Sequence, residues 1–154
     1  LFASQDEKPT NSFLYSLVMD TYSLGYTNSY VDMPINHKVF LAQFDAIKKL
    51  AERESCVIVG RCSNYILEQA DIDSFDVFIK ADIEKRAENV ADRVELKGDE
   101  LIKFLQRRDH KRRVYYRFYT RRKWGDYHDY NMMLDSGMIG KDKCVDMIIS
   151  AIGE

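Results

Sequence analysis

The segment from Arg107 to Lys123 carries nine Lys or Arg residues, a single acid and four Tyr or Phe residues. Inside it, Asp109 stands three residues before Arg112 and four before Arg113, a spacing at which a helix brings carboxylate and guanidinium together. Such a pair could orient an arginine towards a phosphate, or Asp109 could itself accept hydrogen bonds from a substrate. Leu101, Leu105, Arg108, Arg112, Tyr115 and Tyr119 step by three or four residues. A stripe that starts apolar therefore turns basic and then aromatic on one helical face. Charge ordinarily sits opposite the apolar stripe, so arginines in line with it suggest a face turned to an anionic pocket. The bland alternative is a solvated basic helix whose ion pair contributes only about 0.3–0.5 kcal/mol. Nine cations repel one another without a counter-anion, which favours a ligand for some of them, with the rest on the surface.

Three further groups could act on an anion. In Gly60-Arg61-Cys62, a short apolar run ends in a glycine that lets the backbone turn sharply. Arg61 would then point beyond the run, where its planar fork can grip a phosphate; the alternative is a surface arginine opening a loop. Cys62 reads first as a small half-buried thiol. Arg86 and Arg93 are seven apart and would share a helical face, with exposure among Glu84, Glu88 and Asp92 an equal alternative. Asp135 and Ser136 follow another apolar run, where the aspartate could meet a ligand or cap a turn. His37, His110 and His128 are scattered, and no metal-type or Ser/His/Asp spacing joins them.

The elements that would position these residues follow from periodicity. Phe13, Leu14, Leu17 and Val18 predict a helix over 12–24, then a loop over 25–34. Val39, Phe40, Gln43, Ile47 and Leu50 predict a second helix over 36–53, with Asn36 as its N-cap. Cys56-Val57-Ile58-Val59, Phe75-Asp76-Val77-Phe78-Ile79 and Met132-Met133-Leu134-Asp135 read as short strands, the first buried on both faces. A helix is expected from Asp82 to about Leu96, another from Asp99 past Tyr119, and a last one over 141–152. The apolar side of that last helix would be Cys144, Val145, Ile148 and Ile149. Strands alternating with helices imply an α/β protein with a parallel sheet covered on both faces. Ligands in such sheets bind beyond the carboxyl ends of strands, where Gly60-Arg61-Cys62, Lys80-Ala81-Asp82 and Asp135-Ser136-Gly137 fall.

Composition narrows the class. At 154 residues, 45% apolar and 31% charged, the chain suits one soluble globular domain. No run approaches the ~18 apolar residues of a membrane span, and the first residues have no signal-peptide character. Three widely spaced cysteines, with no CxxC pair, fit reduced thiols in a cytoplasm and leave no zinc pattern. The net charge is −2 although residues 107–123 carry +8, leaving −10 elsewhere. That balance argues against a nucleic-acid coat and for a small anionic ligand.

Together, 6–18 (DEKPTNSFLYSLV), 55–67 (SCVIVGRCSNYIL), 75–90 (FDVFIKADIEKRAENV), 107–126 (RRDHKRRVYYRFYTRRKWGD) and 132–140 (MMLDSGMIG) resemble the cytidylate-kinase-like family of P-loop nucleotide kinases. The resemblance implies a three-layer parallel sheet of P-loop kinase type in one domain over 1–154. A helical acceptor-side region would cover 6–53, an α/β core 55–98 and 127–154, and a basic lid helix 99–126. It implies transfer of the ATP γ-phosphate, with Mg²⁺, to CMP or another small acceptor. Gly60 and Arg61 match the strand-end pair that grips the acceptor phosphate, with Cys62 and Arg107 beside the substrate. Asp109 and Arg112 match the Asp-x-x-Arg of the lid, with Arg108 as a further catalytic cation. Arg86 and Arg93 match arginines near ATP, and Asp135 and Ser136 the segment near the base-binding loop; no residue is implied as a metal ligand.

The chain departs from the family pattern at two positions. Cys62 stands where cytidylate kinases carry an acceptor-binding aspartate, and Leu105 where they carry a lid arginine; Arg107 or Arg108 could compensate. No G-x-x-x-x-G-K-[S/T] occurs in the 154 residues. In this family the loop follows a central strand lying between those matching 56–59 and 75–79, so an upstream strand, loop and helix are expected. The alternative function is a non-enzymatic RNA- or nucleotide-binding module that uses the basic-aromatic helix. A homodimer is left open.

Overall fold

The computed structural model describes residues 35–153. The helix expected over 12–24 and the loop over 25–34 lie outside them. The chain divides into two compact units: residues 1–74 with 111–124, and residues 75–110 with 125–154. The boundary runs through a single long helix.

In the first unit, helix α1 spans Ile35–Arg53 and α2 spans Ser63–Gln69. Phe40, Phe44 and Ile47 recur at helical spacing and are buried with Cys62, Ile66 and Leu67 and with Tyr115, Tyr116 and Tyr119 of the long helix. Tyr119 is fully buried, and its ring stacks on Phe40 at 3.9 Å. Buried tyrosines require partners for their hydroxyls. The Tyr115 hydroxyl donates to Gln43 Oε1 at 3.3 Å, and Asn64 Nδ2 donates to the Tyr116 hydroxyl at 3.0 Å.

The buried strand expected at Cys56–Val59 does not form. Val57 is 93% exposed and Val59 87%, while Ile58 alone packs against the core. A strand needs a neighbour for its N–H and C=O groups, and among the described residues none lies beside this segment. β-branched residues supply propensity, but propensity without a ladder does not make a strand.

In the second unit, β1 (Val77–Lys80) pairs in parallel with β2 (Met132–Asp135), with Val77 opposite Met132 and Lys80 opposite Asp135. Before the ladder, Asp76 N donates to Asn131 Oδ1 at 2.7 Å and Asn131 N donates to Asp76 O at 2.9 Å. Gly125 has φ +77°, and a Cβ there would lie 2.9 Å from Phe78 Cζ, so this turn requires glycine both for its conformation and for the close ring.

Between the strands come α3 (Ile83–Val90), a 3₁₀ turn (Ala91–Arg93) and α4 (Gly98–Thr120). The expected helix to Leu96 thus stops early, where Val90, Asp92 and Val94 are weak helix formers. Helix α4 has the expected extent and ends where Arg121 turns left-handed at φ 58°. The Thr120 hydroxyl donates to Tyr116 O and accepts from Arg122 N, closing that end. A single turn, α5 (Ser136–Ile139), and the terminal helix α6 (Lys141–Ile152) complete the unit. Of the four residues expected on α6's apolar side, Cys144 is buried and Ile148 half-buried, while Val145 and Ile149 are exposed. The architecture is mixed α/β, mostly helical, with a two-stranded parallel sheet among the described residues.

Candidate functional site

In the first unit, Gly60, Arg61 and Cys62 occupy three consecutive left-handed conformations, at φ 74°, 58° and 57°. For the two that are not glycine this costs about 1–2 kcal/mol each. Ser63 N donates to Gly60 O at 3.1 Å, and Ile66 N donates to Cys62 O at 2.9 Å, so the turn feeds directly into α2. The outcome is a sharp division of side chains. Arg61 is exposed to solvent, while Cys62 drops into the aromatic core. Burial pushes the Cys62 thiol up to about 12, against a smaller opposing pull from Arg61, so it is a neutral packing group. Its expected place beside a substrate is corrected: the side chain faces the core.

In the second unit, Arg86 of α3 grips Asp109 of α4 with both arms. Nη1 donates to Oδ2 at 2.6 Å and Nη2 donates to Oδ1 at 2.8 Å. Asp109 is buried, and the Arg86 side chain is 28% exposed. The hydrogen bonds to Asp109 raise the already high guanidinium pKa, so Arg86 is charged under all ordinary conditions. Short-range spacing offers Arg112 and Arg113 as partners for Asp109; the residue engaging both its oxygens comes from 23 positions earlier in the chain. Two of the five Arg86 N–H donors are committed this way, which fixes the fork and leaves three for another acceptor.

Arg93 does not share a helix face with Arg86. It closes the separate 3₁₀ turn and is exposed. Arg107, Arg108 and Arg112 are exposed on α4, with the Arg108 guanidinium 5.6 Å from the Phe104 ring centroid. Asp135 and Ser136 turn back on the sheet. Asp135 caps α5, accepting from Gly137 N and Met138 N, and takes Lys80 Nζ at 2.9 Å. The Ser136 hydroxyl donates to Lys80 O at 3.1 Å. The hydrogen bond from Lys80 lowers the Asp135 carboxyl below its usual range, and the same bond raises Lys80. Of the two roles open to Asp135, the turn cap is the one its contacts fill. Sequence reasoning missed Lys80 as a partner; its place at the carboxyl end of a strand, in register with Asp135, was the available signal.

These features define a mixed α/β protein that displays arginines at a turn before one helix and in a locked pair between two others. The family model described as the cytidylate kinase-like family matches residues 1–138, and the chain belongs to that family. The crystal structure of an uncharacterized protein from Eubacterium ventriosum ATCC 27560 is similar, with a TM-score of 0.69 and 33% identity over 79% of this chain and 68% of that one. No curated protein matches the chain. Among the described residues, no helix is long and apolar enough to cross a membrane.

Proposed function

We propose that the protein is a phosphotransferase of nucleoside monophosphate kinase type, moving the γ-phosphate of MgATP to CMP or another small acceptor. The observation that supports this most is the bidentate Arg86–Asp109 pair. Phosphoryl transfer asks a protein mainly for positioning and for fixed positive charge. A guanidinium held by a buried carboxylate supplies the first, and the exposed Arg108 of the same unit adds the net charge the neutral pair lacks.

In this reading Arg61 holds the acceptor phosphate, Arg86 faces the donor phosphates, and Asp109 positions Arg86 rather than meeting substrate. Arg107 and Arg93, both exposed, are secondary contacts. The fold would be the three-layer P-loop type. Guanidinium groups suit a triphosphate. In this reading Mg²⁺ arrives on the nucleotide with most of its waters. Three free cysteines suit a cytoplasmic setting.

The alternative of an RNA-binding module built on the basic-aromatic helix loses its stacking half, because Tyr115, Tyr116 and Tyr119 lie in the core. The test is a panel of nucleoside monophosphates assayed with MgATP and the full-length protein. Turnover of one acceptor well above the rest supports the reading, and turnover of none overturns it.

A further inference from the structure

Helix α4 has a second basic set, distinct from Arg108 and Arg112. Arg113 and Arg117 are four apart on the helix, and Arg121 follows four later, just past its end. All three are exposed, and all belong to the first unit. On the opposite side of this stretch of the helix, Tyr115, Tyr116 and Tyr119 are buried. The three arginines make no ion pair or side-chain hydrogen bond among the described residues, whereas their neighbour Arg122 pairs with Glu68 at 2.6 Å and lies 5.4 Å from the Tyr65 ring centroid.

Like charges four apart cost a helix about 0.2–0.5 kcal/mol, which applies to Arg113 and Arg117, and Arg121 adds a third exposed cation just past the helix end. The helix dipole favours cations in the last turn and so accounts for Arg117, but its reach does not extend to Arg113. The ladder therefore carries a cost that the fold does not repay. A set of exposed cations with the aromatics turned away is unsuited to reading bases and unsuited to entering a bilayer, where an apolar helix face would have to be free. It is suited to a linear chain of phosphates. The sequence argued against nucleic acid from the charge of the whole chain; the structure separates a purely basic outer face from the aromatic inner one.

We propose that Arg113, Arg117 and Arg121 form a docking ladder for the phosphate backbone of single-stranded nucleic acid, bound without regard to base. The proposal does not depend on which acceptor, if any, the protein phosphorylates. The test is fluorescence anisotropy of labelled 20-mers of oligouridylate and oligoadenylate titrated with the full chain at several salt concentrations. The comparison variant is Arg113→Gln, Arg117→Gln and Arg121→Asn combined, with asparagine chosen at 121 because it tolerates the left-handed backbone.

Wild type is expected to bind both oligomers within about threefold of each other. The variant is expected to bind at least tenfold more weakly, with the slope of log affinity against log salt smaller by about 2, at ~0.7 for each phosphate that an arginine no longer neutralises. Equal binding by variant and wild type, or no binding by wild type at low salt, overturns the proposal. Equal affinity for a polyglutamate of matched charge, or tighter binding to anionic lipid vesicles, overturns the assignment to nucleic acid.

Discussion

The two units present arginines in opposite ways. In the first, the backbone carries the strain: three left-handed residues leave Arg61 exposed and bury Cys62. In the second, the backbone around Arg86 is ordinary helix, and the side chain is fixed by a buried carboxylate. In the proposed function, the locked Arg86 suits a group that always arrives in the same pose, such as a triphosphate. The first unit is built around an aromatic core, while the second buries Leu101, Leu105, Leu134 and Cys144 and adds the Arg86–Asp109 and Lys80–Asp135 pairs between its elements.

The largest expected effect breaks the first unit. Tyr119→Ala removes a fully buried ring stacked on Phe40 and should cost about 3–5 kcal/mol in denaturant unfolding. A loss below about 1 kcal/mol would mean the aromatic core does not hold that unit. Next, Arg61→Ala should lower kcat/KM by about 10²–10³ with little change in unfolding midpoint, since the side chain is exposed. A matching loss of stability would recast Arg61 as structural.

Asp109→Asn attacks the second unit. It keeps the shape but removes the charge that holds Arg86, at an expected cost of about 1–3 kcal/mol. That loss should shrink when Arg86→Met is combined with it, because the two residues act as one. A smaller effect is expected at the sheet edge. The Asp135 carboxyl is held below its ordinary value, so its contribution is complete at neutral pH and lost as pH falls through the lowered value. Lys80→Met should therefore flatten the acid limb of the stability profile by lowering the neutral value slightly, with the value at low pH nearly unchanged.

The finest probe is the Cys62 thiol. With its pKa raised to about 12, burial favours the folded state below the ordinary thiol range, and that advantage is lost as pH rises from about 9 towards 12. Iodoacetamide at about pH 8, below the ordinary thiol pKa, should label the exposed Cys56 and spare Cys62 and Cys144 in the native protein, read by mass spectrometry. Labelling of Cys62 at the same rate as Cys56 would show that the turn opens.

What could be read from the sequence was whatever local pattern decides. The 3.6-residue recurrence of Val39, Phe40, Gln43, Ile47 and Leu50, and the long stripe through Tyr119, located α1 and α4 nearly to the residue. Met132–Asp135 formed as expected because β1 lies beside it. Cys56–Val59 carried the same apolar signature and failed, because a strand is a property of two segments and the described residues hold no neighbour for it. The Arg86–Asp109 pair was out of reach for a different reason. Spacing rules see partners three or four residues away, and this pair forms only after α3 and α4 pack. Arg61 was singled out by an expected strand end that does not form and Asp135 by one that does, and neither position told which residue would face solvent and which would fold back as a cap.

In the proposed reaction, Asp109 acts by holding Arg86. The most direct test of this role is steady-state kinetics of the full-length protein, with MgATP and the preferred acceptor, for wild type and Asp109→Asn. Asp109→Asn is expected to lower kcat by at least about tenfold with the acceptor KM nearly unchanged. A raised acceptor KM at unchanged kcat would place Asp109 on the substrate instead, and unchanged values of both would contradict that role outright.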